Sequence, residues 1–370
     1  MRCAGESSGM PFQFQGTGME VQLFMDIKVE EIYLQRAMDL HKNTPVVDAH
    51  LDLAGEVLLR HQAGEKEVVK NHYLPNFQKA GIRLVASSIF VETGNLDRGW
   101  ENALEQIAAL RKDIEGLEAV SIVESGRDID KSLEEGKIGI LLYMEGLDCI
   151  GGDIDRLNTL HGLGVRGAAL TWSRPNALAN GCCKASEHKQ IYGGLSGAGK
   201  EAVKRLEELS MFVDVSHLND EGFEDLCKIA ERPFIATHSN SRKVFDSFRN
   251  MTDGQMRRVA ARGGIMGVNG CRCIAGSPGG NHLEMLCRHI EYEVEIMGAE
   301  HVGYGFDLCD SYDEARAALR GEKCERNGDC LLNHGQIPLV TAALLQRGMD
   351  EESLKKIIGG NFLGYFKEMI

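Results

Sequence analysis

The segment VVDAHLDL (46–53) begins with apolar, mostly β-branched residues and ends with two polar residues, His50 and Asp52, two positions apart. Short runs of this kind are typical of strands buried on both faces of a parallel sheet. Because alternate residues of a strand point to the same face, we expect His50 and Asp52 to leave the strand together. The chain contains seven further runs of this kind: IRLVASSIFVE (82–92), KIGILLYMEGL (137–147), RGAALTWS (166–173), MFVDVSHL (211–218), FIATHSNS (234–241), GGIMGVNG (263–270) and HVGYGFDL (301–308).

Segments with helical patterning separate these runs. The clearest ones cover 99–115, 196–210, 218–231, 252–262, 281–298, 338–348 and 350–362. Alternating strands and helices predict an α/β fold with a parallel sheet and helical crossovers, and eight repeats predict a closed (β/α)8 TIM barrel. A doubly wound open sheet is the alternative. No GxGxxG motif opens a helix after the first strand, which weakens the dinucleotide-binding form of that alternative.

Composition and charge narrow the class of protein. With 370 residues, 43% hydrophobic and 26% charged, the chain resembles ordinary globular proteins and is long enough for a large core. We expect residues 1–25 to be a poorly ordered extension and 26–370 to be one barrel domain. The 55 acidic residues outnumber the 41 basic ones, which gives a net charge of −14. This balance argues against nucleic acid and anionic membranes as partners and favours a small-molecule substrate.

Cysteine usage and hydropathy suggest a compartment. The eleven cysteines are odd in number, are irregularly spaced and form no CxxC pair, so we interpret them as reduced thiols. No apolar stretch reaches the length of a membrane-spanning helix, and no apolar run follows Arg2 as in a secretion signal. These observations predict a cytoplasmic location.

Polar residues follow several of the apolar runs. Each has an ordinary structural alternative, such as a capping carboxylate, a salt-bridged glutamate or a hydrogen-bonded histidine. In a parallel barrel, however, the carboxyl ends of all strands meet at one face, where catalytic residues lie. Six residues share this placement: His50, Asp52, Glu145, His217, His238 and Asp307. We therefore expect them to form one site.

Imidazoles and carboxylates are the ligands that zinc and similar divalent ions prefer. Five of these residues, one of them a bridging carboxylate, would hold two ions about 3.5–4 Å apart, and a water between the ions would lose its proton near neutral pH. Asp307 remains as a group for proton transfer. Asp214 and Ser216, which precede His217, are available to orient the ligands.

At this point the sequence resembles the membrane (renal) dipeptidase family, peptidase family M19, of the metal-dependent amidohydrolase barrels. The matching stretches run from about residue 45 to the end: DAHLDL, YMEGLD, LTWSRPN, VDVSHL, ATHSNSR, FRN, HVGYGFD and IIGGNFL. The resemblance implies an amidohydrolase-type barrel that hydrolyses dipeptides with two divalent ions, which we expect to be zinc. It also implies tolerance of a D-residue at the carboxyl end of the substrate, and dimer formation.

The resemblance assigns individual roles. His50 and Asp52 would bind one ion, His217 and His238 the other, and Glu145 would bridge both. Arg249, eleven residues after His238, would bind the substrate carboxylate, a role that suits a guanidinium. From the sequence alone, the simpler interpretation of this arginine is a solvated loop charge. Asp307 would pass a proton to the leaving amine.

Two positions depart from the family pattern. Trp172 stands where the mammalian enzymes have a histidine that stabilises the tetrahedral intermediate, and an indole N–H donates a hydrogen bond but carries no charge. Cys309 stands where they have a second strand-8 aspartate. The sequence therefore predicts a metallo-dipeptidase acting on a small dipeptide. The alternatives are a related amidohydrolase, such as an N-acyl-amino-acid deacylase, and a barrel that only binds.

Overall fold

Parallel strands alternate with helices in the computed structural model, which describes residues 27–182, 193–277 and 280–370. The predicted extension at 1–25 lies outside the described residues. The strands are β1 (Val46–Leu51), β2 (Ile82–Phe90), β3 (Val120–Ile122), β4 (Ile138–Glu145), β5 (Val165–Ala169), β6 (Phe212–Asp214), β7 (Met266–Val268) and β8 (Val302–Tyr304). The fold is the (β/α)8 barrel that the sequence predicts.

The strands pair in parallel around the barrel. One sheet has the order β1-β2-β4-β5-β6, with β3 paired to β4, and β7 pairs with β8. The segment after β6 joins the two sheets through bridges from Asp214 to Ile235 and from Ala236 to Met266. The prediction of a full strand over 234–241 is wrong, because side chains replace part of its ladder. Thr237 N donates to Asp214 Oδ1 (3.0 Å) and His238 N donates to Ser216 Oγ (3.1 Å).

The prediction also missed β3, whose three residues are too few to show a strand pattern. The side chain of Asp48 in β1 connects this strand to the segment that follows β8. Asp48 Oδ1 accepts a hydrogen bond from Phe306 N at 3.0 Å, and its Oδ2 lies 2.9 Å from His334 Nε2. Glycine also allows the segments after β6 and β8 to approach closely, since a Cβ on Gly305 would lie 1.8 Å from the Thr237 carbonyl oxygen.

Helices surround the barrel. They are α1 (Glu31–Asn43), α2 (Leu53–Gln62), α3 (Leu74–Ala80), α4 (Gly99–Asp113), α5 (Gly126–Glu134), α6 (Arg156–Gly162), α7 (Gly197–Glu208), α8 (Asp220–Ile229), α9 (Asp253–Ala261), α10 (Arg272–Ala275), α11 (His282–Met297), α12 (Asp310–Leu319), α13 (Ile337–Gln346), α14 (Glu351–Lys355) and α15 (Asn361–Met369). The single helix predicted over 350–362 is instead α14 followed by a π-helical turn, Lys356–Gly360, and the start of α15. No helix within the described ranges is long and apolar enough to span a bilayer.

The barrel interior is filled by side chains. Val47 and Ala49 of β1, Leu141 and Tyr143 of β4, and Phe212 of β6 belong to one buried cluster. This cluster includes Phe362 and Phe366 of α15, whose rings stack with centroids 5.6 Å apart. Phe366 also lies 5.3 Å from the Phe212 ring. The C-terminal helix therefore packs onto the inner layer, and the polar residues lie after the strands, at their carboxyl ends.

Candidate metal centre

The barrel brings the six strand-end residues together, as the sequence predicts. The structure contains four overlapping groups of potential ligand atoms, each within 4.8 Å, and these groups comprise His50, Asp52, Glu145, His217, His238, Asp307 and Cys309. His50, Glu145, His217 and His238 are buried, whereas Asp52 and Asp307 are partly exposed. The cluster therefore lies inside the mouth of the barrel, with two of its carboxylates open toward solvent.

One half of the cluster surrounds His50. Its Nε2 atom lies 3.8 Å from Asp52 Oδ1, 3.9 Å from Glu145 Oε2 and 3.3 Å from Asp307 Oδ1. Although buried, this Nε2 makes no well-formed hydrogen bond with any residue that the structure describes. Three carboxylates thus face one unsatisfied imidazole nitrogen.

The other half surrounds the second carboxylate oxygen of Glu145. Oε1 lies 2.7 Å from His217 Nε2 and 3.4 Å from His238 Nε2. The two Nε2 atoms are themselves only 3.0 Å apart. Convergent nitrogen and oxygen donors of this kind fit divalent metal ions. Glu145 presents one oxygen to each half, which is the arrangement expected of a bridging ligand.

The charges of these groups differ with their surroundings. Burial and the nearby positive charge of Arg249 hold the pKa of His217 well below its usual value, and burial with the charge of His50 does the same for the pKa of His238. Both rings are therefore neutral at pH 7, as metal coordination requires. Burial disfavours protonation of His50, but Glu145 and Asp307 outweigh it and raise its pKa to about 10. Burial and the charge of Asp52 raise the pKa of Glu145.

Neighbouring side chains hold the histidines by their other ring nitrogens. His50 Nδ1 contacts the Tyr143 hydroxyl, and His217 Nδ1 lies 3.0 Å from Ser173 Oγ. His238 Nδ1 lies 2.7 Å from Thr237 Oγ1, which in turn donates to Asp214 Oδ2. All three Nε2 atoms are thereby directed at the carboxylates, as is typical of metal-ligating histidines.

The supporting role expected of Asp214 and Ser216 is realised indirectly. Asp214 accepts hydrogen bonds from Ser216 Oγ (2.6 Å) and Thr237 Oγ1 (2.5 Å). It therefore reaches His238 through Thr237. Sequence reasoning missed Tyr143, Ser173 and Thr237. Tyr143 could have been found, because it lies two positions before Glu145 on β4 and so faces the same way.

Arg249 lies at the cluster and is buried, so it is no solvated loop charge. Its Nη2 atom is 3.2 Å from His217 Nε2 and donates to the His238 carbonyl at 2.8 Å. Its Nη1 atom donates to the Ser216 carbonyl and to Ser239 Oγ. Its Nε–H is a buried donor without a partner among the described residues. Arg249 thus combines a fixed position with an unused donor.

Asp307 lies in a left-handed backbone conformation, with φ of 53°. Asn269 Nδ2 donates to its Oδ2 at 2.9 Å, and the Cys309 thiol donates to its Oδ1 at 3.3 Å. Burial opposes ionisation, but the positive charge of nearby His50 outweighs it and lowers the pKa of this carboxyl. Asp307 is therefore an ionised, oriented acceptor beside His50.

Trp172 forms a wall of the same site. Its ring centroid lies 5.8 Å from that of His217 and 5.2 Å from that of Phe90. The Arg174 guanidinium lies 5.2 Å from the Trp172 ring on another side and pairs with Asp148 at 3.1 Å. The indole is thus fixed next to the metal-ligand cluster.

Comparison with known proteins identifies the family to which this chain belongs. Residues 34–369 match the family described as membrane dipeptidase, peptidase family M19. An uncharacterised protein of Klebsiella pneumoniae, named for the pqqA 5' region, is 32% identical over 50% of this chain and 70% of its own length. Dipeptidase 3 of Macaca fascicularis is 25% identical over 90% of this chain and 67% of its own length.

The fold has a close structural counterpart. A metallopeptidase from Rhodobacter sphaeroides, crystallised with a phosphinate mimic of the dipeptide L-Ala-D-Ala, has a TM-score of 0.76. It shares 24% identity and covers 88% of this chain and 99% of its own. The family match spans nearly the whole barrel and agrees with the cluster of metal-type ligands. The chain therefore belongs to the membrane dipeptidase family, peptidase family M19, and is a metal-dependent hydrolase.

Proposed function

We propose that this protein hydrolyses dipeptides at a centre of two divalent ions, with zinc as the native metal. The observation that carries the proposal is the position of Glu145. Its Oε1 faces His217 and His238, while its Oε2 faces His50. A single carboxylate between two sets of ligands is the arrangement that two-metal hydrolases need.

In this proposal His50, Asp52 and Glu145 would hold one ion, and Glu145, His217 and His238 would hold the other. A bound metal pair would supply an activated water and polarise the scissile carbonyl. The chain's own contribution is to orient the ligands. Tyr143, Ser173 and Thr237 do so through the Nδ1 atoms of the three histidines.

Arg249 selects substrates with a free carboxylate next to the scissile bond. Its guanidinium is buried, and its carbonyl and hydroxyl partners fix it beside His217. The unpartnered Nε–H can donate to a carboxylate oxygen, and pairing with an anion offsets the cost of the buried charge. A short substrate is therefore required, because its carboxylate must reach Arg249 while its amide lies over the metal ligands.

Asp307 moves the proton. As an ionised carboxylate it can accept the proton of the attacking water and donate it to the departing amine. Asn269 and Cys309 keep it oriented during both transfers. Trp172, whose ring lies beside His217 in the position of the histidine of mammalian relatives, would donate one hydrogen bond to the developing oxyanion.

The Rhodobacter sphaeroides neighbour, crystallised with a mimic of L-Ala-D-Ala, suggests that a C-terminal D-residue is accepted. The test is a dipeptide panel in L,L and L,D forms, each with its N-acetyl counterpart, assayed with metal-loaded and chelator-treated protein. We expect chelator-sensitive cleavage of the free dipeptides. Cleavage confined to the N-acetyl compounds would replace the proposal by an N-acyl-amino-acid deacylase.

A further inference from the structure

Two cysteines outside the metal-ligand cluster lie in contact with each other. Cys271 and Cys273 flank Arg272 at the start of α10, and their Sγ atoms are 3.2 Å apart. Cys273 is exposed and Cys271 partly so. A disulfide needs a sulfur–sulfur distance of about 2.05 Å, so a displacement of about 1 Å would close the bond. We call this pair the dithiol.

The backbone around the dithiol is held by a second segment. Arg272 N donates to the Gly328 carbonyl, Arg272 Nε donates to the Asp329 carbonyl and Cys330 N donates to the Gly270 carbonyl, each at 2.7 Å. The two thiols are therefore kept next to each other on a supported turn. Beside them opens a cavity of about 490 Å³ lined by Phe245, Cys271, Arg272, Cys273, Gly276, Asn327 and Gly328. Its volume is sufficient for a small organic molecule.

The thiols also differ in reactivity. The hydrogen bond from Cys271 outweighs burial and lowers the pKa of Cys273 to about 7, while the pKa of Cys271 is raised. A substantial fraction of Cys273 is therefore thiolate at neutral pH, and the thiolate is the nucleophile in disulfide exchange. The more reactive sulfur is also the more exposed one.

A short chain of hydrogen bonds connects the dithiol to the hydrolytic site. Cys271 N donates to Asn269 Oδ1 at 2.7 Å, and Asn269 Nδ2 donates to Asp307 Oδ2 at 2.9 Å. Any shift of the Cys271 backbone as the disulfide closes would disturb its hydrogen bond to Asn269. A change at the dithiol is thereby transmitted to the carboxylate that moves the proton.

We propose that Cys271 and Cys273 form a redox modification site, which a low-molecular-weight disulfide converts to an intramolecular disulfide that slows hydrolysis. The Cys273 thiolate attacks the small disulfide, forming a mixed disulfide and releasing one thiolate. Cys271, after losing its proton to solvent, attacks Cys273 Sγ and releases the second thiolate. The protein thiols lose two electrons in total, and the small disulfide is reduced to two thiols. The effect on hydrolysis rests on the proposed function, whereas formation of the disulfide does not.

The experiment treats metal-loaded protein with oxidised glutathione, alkylates the remaining thiols and digests with trypsin without reductant. Because Arg272 lies between the two cysteines, trypsin separates them into peptides 263–272 and 273–288. We expect these peptides to remain joined through Cys271 and Cys273, with fragmentation excluding Cys287 as the partner. Cys271→Ser should instead retain glutathione on Cys273. Cys324→Ser, which removes an exposed thiol elsewhere, should leave the cross-link intact.

Turnover is measured on the same samples. Oxidation should lower kcat by about tenfold or more in the parent protein and in Cys324→Ser, since disturbance of outer-shell contacts typically costs that much. A reductant should restore activity, and Cys273→Ser should be protected. A mixed disulfide on Cys273 without the cross-link, or unmodified thiols, would overturn the redox site. A cross-link with unchanged kcat would overturn its effect on hydrolysis. A protein without dipeptidase activity would still report the cross-link.

Discussion

His217 and His238 point their Nε2 atoms at each other across 3.0 Å, and both atoms face the same oxygen of Glu145. Burial holds the pKa of both rings well below the usual value, so two neutral imidazoles meet one carboxylate in the interior. An ion at this point would satisfy all three groups.

Replacement of the bridging carboxylate should disable both ligand sets. Glu145→Gln removes the charge shared by His50 on one side and His217 on the other, so we expect weaker binding of both ions. Turnover should fall by more than about 100-fold, the upper range for changes that only reorient ligands. Metal content by mass spectrometry and dipeptide hydrolysis give the readouts. Glu92→Gln, outside the cluster, should change neither, and two ions with full activity in Glu145→Gln would disprove the bridge.

Loss of Arg249 should affect substrates selectively. Removing one partner of a buried charge pair costs about 2–5 kcal/mol of binding free energy. Arg249→Ala should therefore raise KM for free-carboxylate dipeptides by about 30-fold or more. Dipeptide amides should be affected little. Because Arg249 also bonds the Ser216 and His238 carbonyls, circular dichroism and metal content must be checked first. Equal losses for both substrate types in a folded, metal-loaded variant would rule out the carboxylate clamp.

The Tyr143 hydroxyl should contribute to metal affinity without touching the ion. Tyr143→Phe removes the contact to His50 Nδ1, and such outer contacts are worth about 10–100-fold in metal affinity. Calorimetric titration of metal-free protein measures the change. Tyr304→Phe is the matched control, since Tyr304 is also buried and its hydroxyl bonds Thr341 instead. Similar affinities in the two variants would show that Tyr143 does not orient His50.

Buried Glu293 of α11 should make the free energy of unfolding depend on pH. It is fully buried with no hydrogen-bond partner among the described residues, and burial raises its pKa well above 4.5. Above pH 4.5 the unfolded chain loses this proton while the folded protein keeps it, so this group makes stability fall as pH rises. Glu293→Gln should therefore gain about 1–3 kcal/mol at neutral pH and little below pH 4. Urea unfolding across this range, with exposed Glu295→Gln as control, measures the gain, and a pH-independent difference would contradict it.

The position of the metal-ligand cluster could be predicted from the sequence because it depends on two simple rules. Apolar runs locate buried parallel strands, and the carboxyl ends of these strands meet at one face. The sequence alone therefore predicts that His217 and His238 lie together. The same reliance on apolar runs makes the predicted strand over 234–241 too long. Its apolar residues follow the pattern, but the side chains of Asp214 and Ser216 take the place of neighbouring backbone carbonyls.

Other parts of the site depend on contacts between residues that are distant in the sequence, and no local sequence pattern indicates these contacts. Arg249 lies in a turn with no periodicity, and only resemblance to the family separated it from an ordinary surface charge. Ser173 and Thr237 are common residues whose importance arises from the ring nitrogen that each one faces. The strand Val120–Ile122 is too short to be distinguished from a loop.

The C-terminal helix α15 has a consequence for biosynthesis. Phe362 and Phe366 complete the layer formed by residues from β1, β4 and β6, and Arg232 donates to the Met369 carbonyl. A ribosome adds residues from the amino end, so the first strands emerge long before the rings that cover their inner faces. Until residue 369 has left the exit tunnel, α15 cannot cover its part of this apolar layer. We therefore expect the nascent barrel to expose apolar surface, of the kind that chaperones bind, until α15 has been synthesised.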